Sequence, residues 1–411
     1  MISLADIPNN WEHGNIRRFA QMKTGHTPSR SVSAYWEHTE IPWFTLADVW
    51  QLRDGRQIYL GETTNTINEL GLANSAADLL PSGTVVLSRT ASVGFSGIMP
   101  KPMATSQDFW NWVCGPQLLP EYLNYQFKAM MAEFRSLNMG STHQTIYQKD
   151  AAALKILVPP LDEQRAIVDY LDRETARIDT LIEEQQRLIT LLCERRESAI
   201  RSVLLHGLDF DISVRQSSTD FLGQIPSTWR LVPARYLCTI TTGGEDSGNA
   251  SEDGDYPFYV RGRKILRSDN YAFDGEAVMT PGDGQGGTGK VFHYFSGKFQ
   301  AHQRVYVFTD FQGVDGRYFY YYLANFLRPI ALAGSNTVTM ESLRRPLLAD
   351  FPVAIPPMEE QRKIVKYLDQ HASKTDTLIT EAERFIELSK ERRAALITAA
   401  VAGQIDVREV A

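Results

Sequence analysis

Apolar residues recur at alternating steps of four and three after Pro159: Ile167, Leu171, Ile178, Leu181, Leu188, Leu192 and Ala199, with Glu174, Gln185 and Arg195 interrupting the stripe. Ile364, Leu368, Leu378, Ala382, Phe385 and Leu396 form a second such stripe after Pro356. Each stretch opens on a Pro-Pro pair, which can start a helix but not continue one, and then runs about 45 residues without Gly or Pro. The pattern predicts two helices of about 65–70 Å, each with a coiled-coil-like seam.

The two stretches are copies of one another. VPPLDEQRAIVDYLDRETARIDTLIEEQQRLITLLCERR returns as IPPMEEQRKIVKYLDQHASKTDTLITEAERFIELSKERR at a constant offset of 197, and Pro159–Leu205 matches Pro356–Ala402 at 22 of 47 positions. Upstream, Ile7–Trp11 (IPNNW) echoes Ile225–Trp229 (IPSTW) and Thr24-Gly25 echoes Thr242-Gly243, both at an offset of 218. The chain is therefore a tandem in which alike helices alternate with units that diverge after their openings. Expected boundaries are 1–155 for the first unit, 156–207 for its helix, 208–353 for the second unit, and 354–411 for its helix and tail. Short alternating stretches mark strands, IPWFTL, GTVVLSRT and FWNWVC in the first unit, YPFYV, EAVMT, GKVFHYF and RVYVF in the second. Helical patches follow at EYLNYQFKAMMAEFRSL and DGRYFYYYLANFL, so both units read as α+β. The seams leave two readings open: each helix packs on its own unit, or the helices pair antiparallel with pseudo-two-fold symmetry.

Composition changes this picture only in part. With 411 residues, 43% of them hydrophobic, the chain can build two or more cores. MISLADIPNNWEHGN lacks a signal-like apolar run, and no segment keeps about 18 apolar residues together, which points to a cytoplasmic protein without a membrane partner. Cys114, Cys193 and Cys238 are too scattered for a disulfide framework or metal knuckle. The net charge of −7 opposes autonomous nucleic-acid binding, where cationic side chains neutralise phosphates. Positive charge does gather locally, at Arg261, Arg263, Lys264 and Arg267, and more loosely at Arg17, Arg18, Lys23 and Arg30.

Candidate chemistry lies in turns that set Arg, Lys, Gln, Asn, Ser and Thr beside glycines, as base-edge readout in DNA requires. The first unit offers Lys23, Thr27, Ser29, Arg30, Arg89, Thr90, Ser92, Gln107, Ser141, Thr142 and Gln144; the second offers Arg261, Arg263, Lys264, Gln285, Lys290, His302, Gln303, Arg304, Ser335 and Asn336. Gly284–Lys290 imitates a phosphate-binding loop, but Val291 stands where Ser or Thr would hold magnesium, and a strand-like VFHYF follows in place of a helix. His26, His293 and His302 show no metal-ligand spacing, and no nucleophile elbow is present. The residues thus predict no catalytic, cofactor or metal site.

The openings PPLDEQRAIVDYLD and PPMEEQRKIVKYLD, the segments LGQIPSTW and GQIDVR, and Thr24–Ser29 followed by Tyr35-Trp36 and Ile41-Pro42-Trp43 resemble, in the right order and across essentially the whole chain, the specificity subunits of type I restriction-modification systems. The resemblance implies two target-recognition domains, each reading one half of a split double-stranded DNA target, joined by helices forming an antiparallel coiled coil. It implies two methyltransferase subunits and restriction/translocase subunits as partners, with S-adenosylmethionine, ATP and magnesium bound there. Thr242-Gly243-Gly244-Glu245-Asp246 departs from the threonine-proline opening of the first unit, and its acidic residues would repel phosphate. Two other functions compete: a single-chain methyltransferase or nucleotide hydrolase, and a coiled-coil adaptor that binds proteins without reading DNA.

Overall fold

The computed structural model describes residues 8–136, 145–209, 211–219, 222–283, 289–333, 343–405 and 407. The chain divides into two compact units, Met1–Gln186 with Glu383–Ala411, and Arg187–Ala382, so that both repeated helices are shared between them. Each unit combines an α+β module with a segment of each helix.

Unit 1 contains β1 (Glu12–Asn15), β2 (Ala20–Thr24), β3 (Ile41–Phe44), β4 (Asn65–Ile67), α1 (Glu69–Ala73), β5 (Val85–Ser88), β6 (Ser96–Ile98), β7 (Ala104–Thr105) and β8 (Phe109–Cys114). Then come α2 (Pro120–Ala129), α3 (Met131–Ser136), α4 (Gln148–Ala153), β9 (Lys155–Val158) and the first part of α5 (Leu161–His206). Its sheets run β2-β8-β5-β6, β4-β3-β7 and β1-β9. Unit 2 contains β10 (Val214–Gln216), β11 (Gln224–Pro226), β12 (Arg230–Pro233), β13 (Thr239–Thr242), β14 (Tyr256–Tyr259), β15 (Leu266–Ser268), β16 (Phe273–Pro281), β17 (His293–Ala301) and β18 (Val305–Thr309). After these come α6 (Gly316–Ala333), α7 (Arg345–Ala349), β19 (Pro352–Ile355) and the first part of α8 (Met358–Val401), whose remainder belongs to unit 1. Its main sheet runs β13-β18-β16-β17-β14-β15, in which β17 does the work that β6 and β7 share in unit 1. The topology is therefore duplicated even where the sequence has diverged.

Both readings of the helices hold. In unit 1 the core joins Ile167 and Leu171 of α5 to Ile397 and Val401 of α8, while Asp179 meets Arg393 at 3.1 Å, so the segments run antiparallel. In unit 2 Val203 and Leu204 share a core with Ile364 and Leu368, and Arg196 meets Asp376 at 2.5 Å. The same segments also pack on their α+β modules, through Trp112 and Tyr122 in unit 1 and Tyr318 and Tyr322 in unit 2. Part of the expected seam is corrected. Leu181, Leu188, Leu378 and Phe385 are exposed, whereas Ile182 and Ile386 are buried and Ile189 and Ile379 half-buried. The sequence puts two adjacent apolar residues at each of these layers, and the isoleucine is the one that turns inward.

Two positions of the repeat fasten each module to its helix. Gln164 is fully buried; its Oε1 accepts from the Leu119 amide at 2.8 Å and its Nε2 donates to the carbonyls of Gln117 and Pro159. Gln361 repeats this with the Asp315 amide and the carbonyls of Gly313 and Pro356. Just over two turns further along the helix, Tyr125 donates to Asp172 at 2.5 Å and Tyr321 to Asp369 at 2.6 Å. The helices α2 and α6 are thus held by the same bonds on the same helix face.

Unit 1 adds a clamp of its own. The segment following β3 lies against α5: Arg56 bonds Glu183 and sits 3.6 Å from Asp179, Arg393 donates to the Gly55 carbonyl, and Tyr59 donates to Glu121. Lys128 donates to the same Gly55 carbonyl at 2.7 Å and lies over the Tyr125 ring. Burial lowers its ammonium to about 8, with Arg393 adding repulsion.

Two outcomes follow. Gln164→Leu strands an amide and two carbonyls and should cost at least ~2 kcal/mol, seen as faster hydrogen exchange throughout unit 1 and unchanged exchange in unit 2. Lys128 titrates lower folded than unfolded, so its burial penalty is full below about 8 and relieved above it. The denaturant midpoint of unit 1 should therefore rise between about pH 7.5 and 9.5, below the range where tyrosines ionise, and Lys128→Met should remove that rise.

Candidate nucleic-acid interface

The echo of Thr24-Gly25 in Thr242-Gly243 has a steric cause. A Cβ on Gly25 would fall 2.0 Å from the Thr105 carbonyl oxygen, and one on Gly243 1.9 Å from that of Ala301. In both units this glycine lets the strand end pass directly under the turn that follows the parallel pairing of β3 with β7, or of β14 with β17. The matching bonds align the turns residue by residue. Ser106 N donates to Phe44 O as His302 N does to Tyr259 O, and Arg89 N donates to Asp108 O as Gly282 N does to Arg304 O. Ile146 N bonds Arg89 O as Leu343 N bonds Gly282 O. Ser106, Gln107 and Asp108 therefore correspond to His302, Gln303 and Arg304, and Arg89 to Gly282.

In unit 1 these turns bring together five of the sequence candidates. Thr27 donates to Gln107 Oε1 at 2.6 Å, and Asp108 accepts from Thr90 at 2.6 Å and from Ser106 at 2.9 Å. The Ser92 carbonyl accepts from Ser88. Arg89 stacks its guanidinium 4.3 Å from the Trp110 ring centre, and its Nε is buried without a hydrogen-bond partner. Burial lowers the Arg89 pKa, and Asp108 opposes the shift. A guanidinium held against an indole is restrained in orientation, as recognition of a guanine edge or a phosphate oxygen requires, although the buried Nε itself is closed to such an acceptor. Gln107, Ser29 and Arg30 are exposed, Ser29 bonding Ser31, while Lys23 on β2 engages Asp78 at 3.1 Å.

Unit 2 fills the same place with charge. Arg304 bonds Asp283 at 3.1 Å, and Arg261 approaches it at 3.9 Å. His302 is only 3% exposed; its Nδ1 accepts from the Arg304 amide, and its Nε2 faces Asp246 at 3.8 Å. Desolvation and Arg261 both lower the pKa of His302, so it acts as a neutral brace rather than a surface cation. Gln303 donates to Asp246 at 3.3 Å. The acidic turn at Glu245-Asp246 thus sits beside the candidate cluster as its counter-charge. Arg263 and Lys264 are exposed, as is Lys290, whereas Arg267 is consumed by the carbonyls of Gly254 and Asp255. Ser141, Thr142, Gln144, Gln285, Ser335 and Asn336 lie outside the described residues, as does most of the phosphate-loop imitation; β17 begins at His293.

Sequence reasoning missed Asp108 and Trp110, and it read Asp246 only as a residue that would repel phosphate; with Asp283 these residues orient the candidates. A signal was present for two of them: Asp108 directly follows Gln107, and Trp110 stands two positions on. Among the described residues no metal-binding group of His, Cys, Asp and Glu occurs, and no helix is long and apolar enough to cross a membrane.

The steric reading of the glycines predicts that Gly243→Ala destabilises unit 2 by ~1–3 kcal/mol, because the obstacle is a backbone carbonyl, and Gly25→Ala does the same to unit 1. Hydrogen exchange localised to the altered unit would check this; an effect spread equally over both units would contradict it.

The family described as "Type I restriction modification DNA specificity domain" matches residues 8–191 and 226–388. Curated relatives include the type I restriction enzyme EcoDI specificity subunit of Escherichia coli, 28% identical over 44% of this chain and 40% of its own length. The MjaIX specificity subunit of Methanocaldococcus jannaschii is 29% identical over 40% of this chain and 38% of its own. The alignments thus span about two fifths of these relatives. Among solved structures, a chain from a study of complex assembly and conformational transition of the type I R-M system superposes with a TM-score of 0.76 at 17% identity, covering 97% of this chain and 99% of that one. The HsdS subunit of Thermoanaerobacter tengcongensis gives 0.57 at 17% identity, covering 97% and 98%; both likenesses concern the fold. With the family pattern matching in two blocks that follow its internal repeat, the chain belongs to the type I restriction modification DNA specificity family.

Proposed function

We propose that this chain is the non-catalytic specificity subunit of a type I restriction-modification complex, in which each unit reads one half of a divided double-stranded DNA target. The observation that carries the reading is the pair of structurally equivalent turns, built on one scaffold but lined with different chemistry: Arg89 on Trp110 with Gln107 and Thr90 in unit 1, Arg304, Arg261 and Gln303 around two aspartates in unit 2. Two similar frames with dissimilar polar surfaces suit two dissimilar half-sites. Arg89, Gln107 and Thr90 would serve one half, together with Lys23, Thr27, Ser29, Arg30 and Ser92. Arg261, Arg263, Lys264, Lys290, Gln303 and Arg304 would serve the other, braced by His302.

The helices support the scaffold role. Unit 1 exposes Leu181, Phe385 and Leu388; unit 2 exposes Leu378, Leu188 and Leu191, which are the same three repeat positions. Large apolar side chains kept outward at duplicated positions fit two copies of one partner, the methyltransferase subunit, better than a chance exposure. On this reading S-adenosylmethionine, ATP and magnesium belong to the methyltransferase and restriction subunits, and the complex works in the cytoplasm. The net charge of −7 favours the competing reading of a protein-only adaptor.

Mapping methylated adenines in DNA from cells expressing the chain with its methyltransferase subunit decides between them. The expected result is a two-part motif with an unspecified spacer that vanishes when this chain is deleted. Arg89→Ala should relax one half of the motif and Arg304→Ala the other, with each lost base contact costing ~1–3 kcal/mol of discrimination. Uniform weakening across sequences would make these arginines phosphate contacts instead. An assembled complex with an unchanged methylation pattern would favour the adaptor.

A further inference from the structure

We propose that Gln107 in unit 1 and Gln303 in unit 2 each read one base with opposite ends of the same side-chain amide, Gln107 through its amino group and Gln303 through its carbonyl oxygen; the proposal deepens the DNA reading above and rests on it. The two glutamines hold equivalent places in the aligned turns, and of the three residues matched there only the glutamine is the same in both units. Both are exposed. The turn beneath each is closed in the same way, by a backbone amide bonding to a side chain two residues earlier: Asp108 N to Ser106 Oγ at 3.3 Å, and Arg304 N to His302 Nδ1 at 3.0 Å.

What differs is the neighbour. His26 N donates to Thr105 O at 3.0 Å as Glu245 N does to Ala301 O at 3.5 Å, which aligns Thr27 with Asp246, unit 2 having one residue more after its glycine. Thr27 donates its hydroxyl to Gln107 Oε1 at 2.6 Å, whereas Asp246 accepts from Gln303 Nε2 at 3.3 Å. The two amides are thus held by opposite ends. With its oxygen engaged, Gln107 offers an amino group, which suits the keto oxygen of guanine or thymine in the major groove. With its nitrogen engaged, Gln303 offers a carbonyl oxygen, which suits the amino group of adenine or cytosine. Asp246 is the stricter neighbour. Its Oδ1 accepts from the Gly248 amide at 3.0 Å, and that bond above all lowers its pKa. An ionised carboxylate has no proton to give, so turning the Gln303 amide over would set oxygen against oxygen. A hydroxyl both donates and accepts, so Thr27 tolerates an inverted Gln107, and discrimination is sharper in unit 2.

The test measures binding of target duplexes by the full chain with its methyltransferase subunit. Gln303→Met and Gln107→Met should each relax one base pair, in different half-sites, and so locate the two contacts. Duplexes are then made in which hydrogen replaces either the amino group or the keto oxygen of the bases at those pairs. At the Gln303 pair, loss of the amino group should weaken wild-type binding about tenfold and add nothing in Gln303→Met; at the Gln107 pair the loss should follow the keto oxygen instead. Thr27 and Asp246 act as positioning residues, so exchanging them should move the dependence. Thr27→Asp should transfer it from the keto oxygen to the amino group, and Asp246→Thr should blunt the amino-group dependence several-fold. Each ratio compares duplexes on one variant, so a uniform loss of affinity leaves it unchanged, and the untouched half-site reports that the complex has assembled. Glutamine variants that relax no single pair, dependence on the opposite group, or exchanges that leave the dependence where it was would overturn the proposal while the specificity reading stands. A wild-type complex that binds all sequences alike would end the specificity reading, and this proposal with it.

Discussion

A buried glutamine side chain, Gln164 in one unit and Gln361 in the other, uses both ends of its amide to tie the start of a long helix to the loop that launches the module's main helix. The arrangement is demanding. A buried amide is tolerated only when its donors and acceptor are all engaged, and loss of the side chain leaves backbone groups stranded as well. Once it is satisfied, the launch point of α2 or α6 is fixed, and the tyrosine–aspartate bond further along fixes its direction. The rest of each module hangs from these two points, so strands and turns away from them were free to diverge while PPxxEQR and YLD were retained in both copies.

Much of this was legible in the sequence, for a physical reason. Duplication is visible wherever the same buried contacts are made twice, which is why the helices and the Thr-Gly echo stood out. The echo could be seen but not explained, since nothing in a linear sequence shows that a carbonyl passes under Gly25. The seam was half legible. At Leu181-Ile182 and Phe385-Ile386 both neighbours are apolar, so periodicity could not choose between them, and the regular spacing selected the outward residue. Glutamine in the EQR motif reads as an ordinary polar residue of a first helical turn, and only the fold reveals its burial. Candidate turns were recognised by residue type, but the orienting role of their aspartates was not. An acidic residue near a basic one looks like an obstacle to DNA until geometry shows that it orients the base.

The two units differ mainly in what their shared frame carries. Unit 1 spends residues 45–64 on a segment that folds back on α5, whereas unit 2 turns within residues 260–265 and gathers Arg261, Arg263 and Lys264 there. The longer connection neutralises acids of the scaffold from within the chain, and the shorter one presents cations to solvent. The acidic total therefore does not describe either candidate surface, because part of the negative charge lies along the helix faces.

The pairing of Arg304 and Arg261 with Asp283 bears on how an acidic chain could still read DNA. Exposed ion pairs contribute little, about 0–1 kcal/mol, so an arginine can exchange its aspartate for a phosphate or a base edge at small cost. Until that exchange, the pair keeps the guanidinium extended and suppresses its attraction to DNA of any sequence. After it, the freed Asp283 repels phosphate, and it is compensated only by a donor such as the amino group of cytosine. A wrong sequence then leaves a carboxylate unpaired against the duplex. On the proposed function, the aspartates of unit 2 raise specificity by penalising mismatched sites, and Arg89 of unit 1, held against the Trp110 ring, achieves preorganisation by a different route.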